Sequence, residues 1–192
     1  MLEKLFWISM AAACLIVVPA AAQEDWEAVH VQVPELVTAA ATPNCSGGLV
    51  YDDGGYETVY SLGPGNAGTV MRFDLPAGTT GLDQVCTCFS RDVGAPSSMS
   101  FQVVVYDNNG TGGGPGTLLG TVNATASSIP VFPAAQYYNV NLAASGITLP
   151  DQNVFAGVIW PGGSPDTIYI CGDRTASTPQ RTIFGSGNGG SS

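Results

Sequence analysis

From about Gly48 onward the chain is written as short β-favouring runs cut by Gly, Pro, Asn and Asp at nearly every interval. That punctuation leaves no room for a helix of ordinary length, so the hydrophobic residues must be buried from strands. The runs are Leu49–Asp52, Thr58–Leu62, Thr69–Leu75, Leu82–Phe89, Ser100–Tyr106, Thr117–Val122, Tyr137–Leu142, Val154–Trp160, Thr167–Cys171 and Thr182–Phe184. Two of them alternate with period two. Met71, Phe73 and Leu75 oppose Arg72 and Asp74, and Tyr138, Val140 and Leu142 oppose Asn139 and Asn141. One face of each meets a core and the other meets water. Phe101–Tyr106 and Val154–Trp160 are apolar on nearly both faces and are expected to be central strands, covered on both sides. The expectation is an all-β antiparallel β-sandwich of jelly-roll type with about ten short strands. An immunoglobulin arrangement lacks its Cys…Trp…Cys spacing, because Trp160 falls late.

The N-terminus reads differently. Lys4 precedes an apolar run, Leu5 to Ala22, that ends in Ala20-Ala21-Ala22-Gln23. A positive start, an apolar middle and a small-residue site describe a cleaved secretory signal over residues 1–22. Cys14 follows Ala11-Ala12-Ala13 and raises a lipoprotein reading, which the apolar Leu15-Ile16-Val17-Val18 after it disfavours. Residues 23–47 form a leader or linker, with Trp26, Val31, Val33, Leu36 and Val37 interrupted by Pro34; an edge strand, a propeptide and a disordered arm all fit. The sandwich domain is assigned to 48–184 and a flexible Gly/Ser tail to 185–192. The expected location is secreted, at the cell surface or in the periplasm.

Four cysteines remain after the signal: Cys45, Cys86, Cys88 and Cys171. Cys86 and Cys88 sit two apart on one strand, so their side chains share a face and their Cα atoms lie roughly 6.6 Å apart with parallel Cβ vectors. That geometry is poor for a mutual bond. Cys45 and Cys171 are therefore each expected to take one of them, in an order left open. Each bridge would close a loop of tens of residues, worth roughly 3–4 kcal/mol in the chain-entropy account. Zinc is the rival, but the spacing is not that of paired knuckles, and export favours oxidation.

The net charge of −10, with no lysine after Lys4 and only Arg72, Arg91, Arg174 and Arg181 as further cations, leaves no basic stripe for nucleic acid. No membrane association is expected once the signal is removed. His30 is the one histidine and lies in the leader, so a Ser-His-Asp device or a multi-His metal centre is not built here. No enzyme is expected. The residual catalytic alternative is a carboxylate-dependent glycoside hydrolase drawing on Asp74, Asp83, Asp52, Asp53, Glu57 and Asp173.

Binding is the stronger expectation. The loop Asp107-Asn108-Asn109-Gly110 opens like a calcium loop but has Leu118 at the closing position. Asp107, Asn109, Asp52, Asp53 and Glu57 form the candidate calcium set. The plain alternative is a tight turn. Trp160, Tyr137 and Tyr56 are the candidate ligand-binding rings, each beside a loop or on a polar face where it could stack on a sugar; for Trp160 a core-capping role is the favoured reading. Asn44, Asn109 and Asn123 head Asn-x-Ser/Thr sequons.

Val50-Tyr51-Asp52-Asp53-Gly54, Met71-Arg72-Phe73-Asp74-Leu75, and Val105-Tyr106-Asp107-Asn108-Asn109-Gly110 with Pro115-Gly116-Thr117-Leu118 resemble, in order and layout, accessory jelly-roll β-sandwich modules of exported bacterial proteins, of carbohydrate-binding and adhesion type. The resemblance implies a non-catalytic module that binds extracellular glycan or surface material, and it carries over no binding residues. A structural or assembly subunit of the cell surface is the alternative.

Overall fold

The computed structural model describes residues 49, 56, 58–61, 67–160, 167–172 and 182–186. They form nine strands: β1 (Thr58–Ser61), β2 (Ala67–Asp74), β3 (Gln84–Arg91), β4 (Met99–Asp107), β5 (Leu118–Ala126), β6 (Gln136–Asn141), β7 (Asn153–Trp160), β8 (Ile168–Gly172) and β9 (Thr182–Ser186). The one helical element among the described residues is a single 3₁₀ turn, Thr111–Gly113. None of the described helices is long and apolar enough to cross a membrane. The expected strand over Leu49–Asp52 lies mostly outside the described residues; Leu49 itself is exposed and not in a strand.

Two antiparallel sheets result, one ordered β1-β8-β3-β6 and the other β5-β4-β7-β2-β9. The pairings nest: β1 with β8, β2 with β7, β3 with β6 and β4 with β5. The first half of the chain thus pairs with the second half in reverse order, a long hairpin folded over itself.

One core joins the sheets. Phe89, Val140, Ile168 and Ile170 from the four-stranded sheet meet Phe101, Val103, Val105, Val154, Ala156, Val158 and Trp160 from the other. Phe89 sits at the centre with no exposed surface, its ring edge-on to Phe101 at 5.1 Å and to Trp160 at 5.8 Å. The period-two reading explains the layout. Phe73, Leu75 and Tyr138 pack on this core, while Asp74 and Asn139 on the opposite parity are exposed. β4 and β7, apolar on both faces, lie side by side inside the five-stranded sheet.

The turns obey backbone chemistry. Asp92 to Ala95 closes through the Ala95 amide donating to the Asp92 carbonyl at 3.2 Å, with Gly94 at φ +85°. That left-handed position favours glycine. Gly157 has a different reason. A Cβ there would collide with the Thr69 carbonyl and lie 2.6 Å from the Val70 Cα, so β2 and β7 close up only over a residue without a side chain. Strand β3 ends later than its pattern suggests. The side chain of Arg91 holds that end by donating Nε to the Ile129 carbonyl at 2.7 Å and Nη1 to the Ala95 carbonyl at 2.9 Å.

Candidate functional site

The outward face of the four-stranded sheet carries a second apolar cluster, separate from the core. Strand parity creates it. Val85 and Phe89 of β3 pack on the core, so Cys86 and Cys88 point to the other side. Register places Cys88 opposite Tyr137 of β6 and Cys86 opposite Asn139. On the neighbouring strand, Cys171 lies opposite Val59 of β1. Cys88 and Cys171 are joined by a disulfide across β3 and β8, their Cα atoms 5.3 Å apart. Cys86 is also disulfide-bonded, and its partner lies outside the described residues, as do Cys45 and Cys14.

Around this bridge Tyr56 and Val59 are buried, and Phe132, Ala135, Tyr137 and Tyr169 pack on them half-buried. Phe132 meets Tyr169 edge-on, with centroids 6.3 Å apart. Phe132 belongs to the β5–β6 connection, which is clasped onto β3. Its amide donates to the Arg91 carbonyl at 2.8 Å, the Arg91 amide donates to the Pro130 carbonyl at 3.0 Å, and Ser90 Oγ donates to the Ala134 carbonyl at 2.7 Å. The Phe132–Pro133 peptide is cis, and the Tyr56 hydroxyl donates to the Pro133 carbonyl. Burial raises the Tyr56 phenol above its ordinary value, which keeps it a neutral donor in this bond. The surface therefore offers three half-exposed rings, Phe132, Tyr137 and Tyr169, held by a disulfide, a strand ladder and a clasped loop. Exposed Asn139 stands beside Tyr137 on the same parity. Fixed aromatic faces next to an amide suit a ligand with both C–H surfaces and hydroxyls.

Of the three rings expected to bind ligand, Tyr137 alone stands on the surface. Trp160 is 2 % exposed, and its indole Nε1 donates to Met99 Sδ inside the core. Tyr56 is likewise 2 % exposed. Neither presents a face for stacking. The reason for Trp160 is parity: it continues Val154, Ala156 and Val158 on the inward side of β7, a rule that overrides the cue of the Pro161-Gly162-Gly163 sequence after it. Tyr169 was legible in principle, since it stands two residues before Cys171 and so on the same face as the bridge. Phe132 was not, because no periodicity operates in a loop.

Asp107 ends β4, and its Oδ1 accepts from the Asn108 amide at 2.8 Å. Asn109 Oδ1 accepts from the Thr117 amide at 2.8 Å, and its Nδ2 donates to Thr117 Oγ1 at 3.0 Å. The Asn109 amide thus staples the loop shut, which is the turn reading of this segment. Asp52, Asp53 and Glu57 of the calcium set lie outside the described residues, and among the described residues no three His, Cys, Asp or Glu side chains gather. Of the carboxylates considered for hydrolysis, Asp74 pairs with Arg72 at 3.2 Å, the Asp83 carbonyl accepts from the Leu142 amide at 2.8 Å, and Asp173 lies outside the described residues. An open groove of about 420 Å³ over β4 and β5 is lined by Ser100, Phe101, Asn123, Ala124 and Thr125, with no carboxylate. Exposed Asn123 accepts from Gln102 Nε2 at 3.0 Å; Asn44 lies outside the described residues.

No protein-family model and no curated protein matches the chain. A solved structure, an arabinose-bound GH51 α-L-arabinofuranosidase, is similar over 86 % of this chain and 24 % of that one, at 12 % identity and a TM-score of 0.42. The chain thus spans about a quarter of that enzyme's length, and a likeness this slight carries no argument.

Proposed function

We propose that this chain is an exported, non-catalytic β-sandwich of jelly-roll topology that binds extracellular glycan through the aromatic outer face of its four-stranded sheet. The nested pairing of β1 with β8, β2 with β7, β3 with β6 and β4 with β5, with β9 appended beside β2, supports the jelly-roll reading. The disulfide between Cys88 and Cys171 supports an oxidising compartment.

One observation carries the binding reading: Phe132, Tyr137 and Tyr169 cluster half-exposed on a single face, on a rigid base of buried Tyr56, Val59 and Cys88. Such a base removes most of the ordering cost that mobile rings would incur on binding. Sugar rings present axial C–H faces to aromatics and equatorial hydroxyls to amides, and both partners stand here. Neutral glycan is favoured over acidic glycan. The chain carries −10, and the two described arginines are engaged, Arg72 with Asp74 and Asn153 and Arg91 with backbone carbonyls.

Affinity electrophoresis through a panel of neutral and acidic polysaccharides tests this. Wild-type protein is expected to be retarded by at least one neutral polysaccharide. Tyr137→Ala and Tyr169→Ala should each weaken retention about tenfold, the equivalent of about 1.4 kcal/mol. Thr121→Ala, on the edge of the opposite sheet, should leave it unchanged. Retention that survives both tyrosine changes, or no retention on any polysaccharide, overturns the reading.

A further inference from the structure

Among the described residues each sheet ends in two edge strands, β1 and β6 in one and β5 and β9 in the other. A strand edge carries a row of unpaired N–H and C=O groups, and folded proteins blunt such edges by shortness, charge, proline or a bulge. Three of the four edges are short: β1 has four residues, β6 six and β9 five. Strand β5 has nine and carries no charged residue and no proline. The one irregularity of its ladder lies near its start, opposite Val105 and Tyr106, and residues 120–126 pair with β4 without a break. Among the described residues β5 pairs with no strand but β4.

The side chains of β5 show that this edge is open. On the outward face Thr121, Asn123 and Thr125 are exposed, and register sets them beside Val104, Gln102 and Ser100, an uncharged row. On the inward face Val122 and Ala124 pack at the rim of the core and stay only partly buried. Their partners in β4, Val103 and Phe101, are 0 % and 2 % exposed. Both rows face the same core, so what Val122 and Ala124 lack is a neighbour on the edge side. A further strand there would cover apolar surface and satisfy the free backbone groups. Charge selects the partner. A chain of −10 repels acidic strands, and β5 offers a basic strand no counter-charge. An uncharged strand of matching length and matching amide and hydroxyl rows is β5 itself.

We propose that two copies of this chain associate by antiparallel pairing of β5 with β5, which merges their five-stranded sheets into one across a two-fold axis. Such an interface uses the same surface on both copies and closes at a dimer. Antiparallel pairing of identical edges requires the axis to stand perpendicular to the sheet, so both copies turn the same face to the same side. On the glycan reading above, the two aromatic faces then point the same way, and one polysaccharide chain can engage both. The pairing itself does not rest on that reading.

Two experiments, both without glycan, test it, so this proposal and the glycan reading fail separately. In the first, sedimentation equilibrium over a concentration series is expected to show monomer and dimer. Thr121→Glu with Asn123→Glu sets like charges opposite one another across the axis and should weaken the dimer about tenfold. An equimolar mixture with Thr121→Lys/Asn123→Lys protein should recover a heterodimer, which separates lost pairing from lost folding. A wild type that stays monomeric, a dimer that the glutamates leave intact, or a mixture of folded variants that does not associate overturns the proposal. In the second, a benzophenone amino acid replaces Thr125 in a mixed-isotope sample, and irradiation is followed by peptide mapping. The expected cross-link lies within residues 118–126 of a second copy. A cross-link to any other segment, in the same chain or in a second copy, or no cross-link overturns the proposal. If the charged variants do not fold, the cross-link decides.

Discussion

Trp160→Ala separates a core role from a binding role for this residue. The ring is 2 % exposed, edge-on to Phe89 at 5.8 Å, and its N–H is satisfied by Met99 Sδ. An aromatic side chain of this kind buries about 150–250 Å². At about 25 cal/mol per Å² the lost transfer term is about 4–6 kcal/mol, and large aromatic truncations in cores cost about 3–5 kcal/mol. About 4 kcal/mol is the expected loss, a large part of the 5–15 kcal/mol that holds a typical domain together. At about 3 °C per kcal/mol for a domain of this size, the melting temperature should fall by about 12 °C. Trp160→Phe keeps the contact with Phe89 and loses the N–H donor and part of the volume, so about 1–2 kcal/mol is expected. Urea unfolding followed by circular dichroism measures both, and the slope m should stay constant while the midpoint moves. Folded Trp160→Phe protein should bind polysaccharide as wild type does. A Trp160→Ala variant within about 0.5 kcal/mol of wild type, as surface changes are, would refute the burial argument. Binding lost at full stability would return Trp160 to the ligand site.

Two further outcomes follow from the same face and core. Replacing Cys88 and Cys171 together with alanine opens a loop of sequence separation 83, and the chain-entropy account predicts a loss of about 4.5 kcal/mol in the urea-derived stability; a loss under about 1 kcal/mol would show the bridge to be dispensable. Burial raises both the Tyr56 and Tyr138 phenols above their ordinary value of 10.0, so the folded chain holds these protons more tightly than the unfolded chain. Their stabilisation is complete below about pH 10 and is lost as pH rises through the raised values. Urea midpoints between pH 9 and 12 should decline, and Tyr56→Phe with Tyr138→Phe should flatten that decline; an unchanged slope in the double variant refutes the assignment.

Legibility followed periodicity. Phe73 and Tyr138 turned inward and Asn139 outward because side chains alternate strictly along a strand, and the alternation can be counted without coordinates. The runs of β4 and β7, apolar on both faces, marked them as interior strands of a sheet, as they are. That Cys86 and Cys88 would bond elsewhere rather than to each other follows from their spacing on one strand; that Cys88 is the one joined to Cys171 came from the register of β3 against β8. For Trp160 a local cue and strand parity point in opposite directions. A tryptophan beside Pro161-Gly162-Gly163 suggests a loop-end platform, yet its strand register carries it into the core. Strand ends also drifted: β3 runs to Arg91, past Phe89, because the loops that secure Arg91 are distant in the chain.

The amino-acid order alone determined that this chain builds antiparallel strands, which residues share a face, and that Cys86 and Cys88 do not bond each other, because these depend on spacing along the backbone. Tertiary structure decided which strands become neighbours, that Tyr56 is sealed while Tyr137 stays accessible, and that Phe132, Tyr137 and Tyr169 meet on one surface. Those outcomes depend on which distant segments pack above each face, and the closing of long loops brings such segments together without leaving a local trace in the sequence.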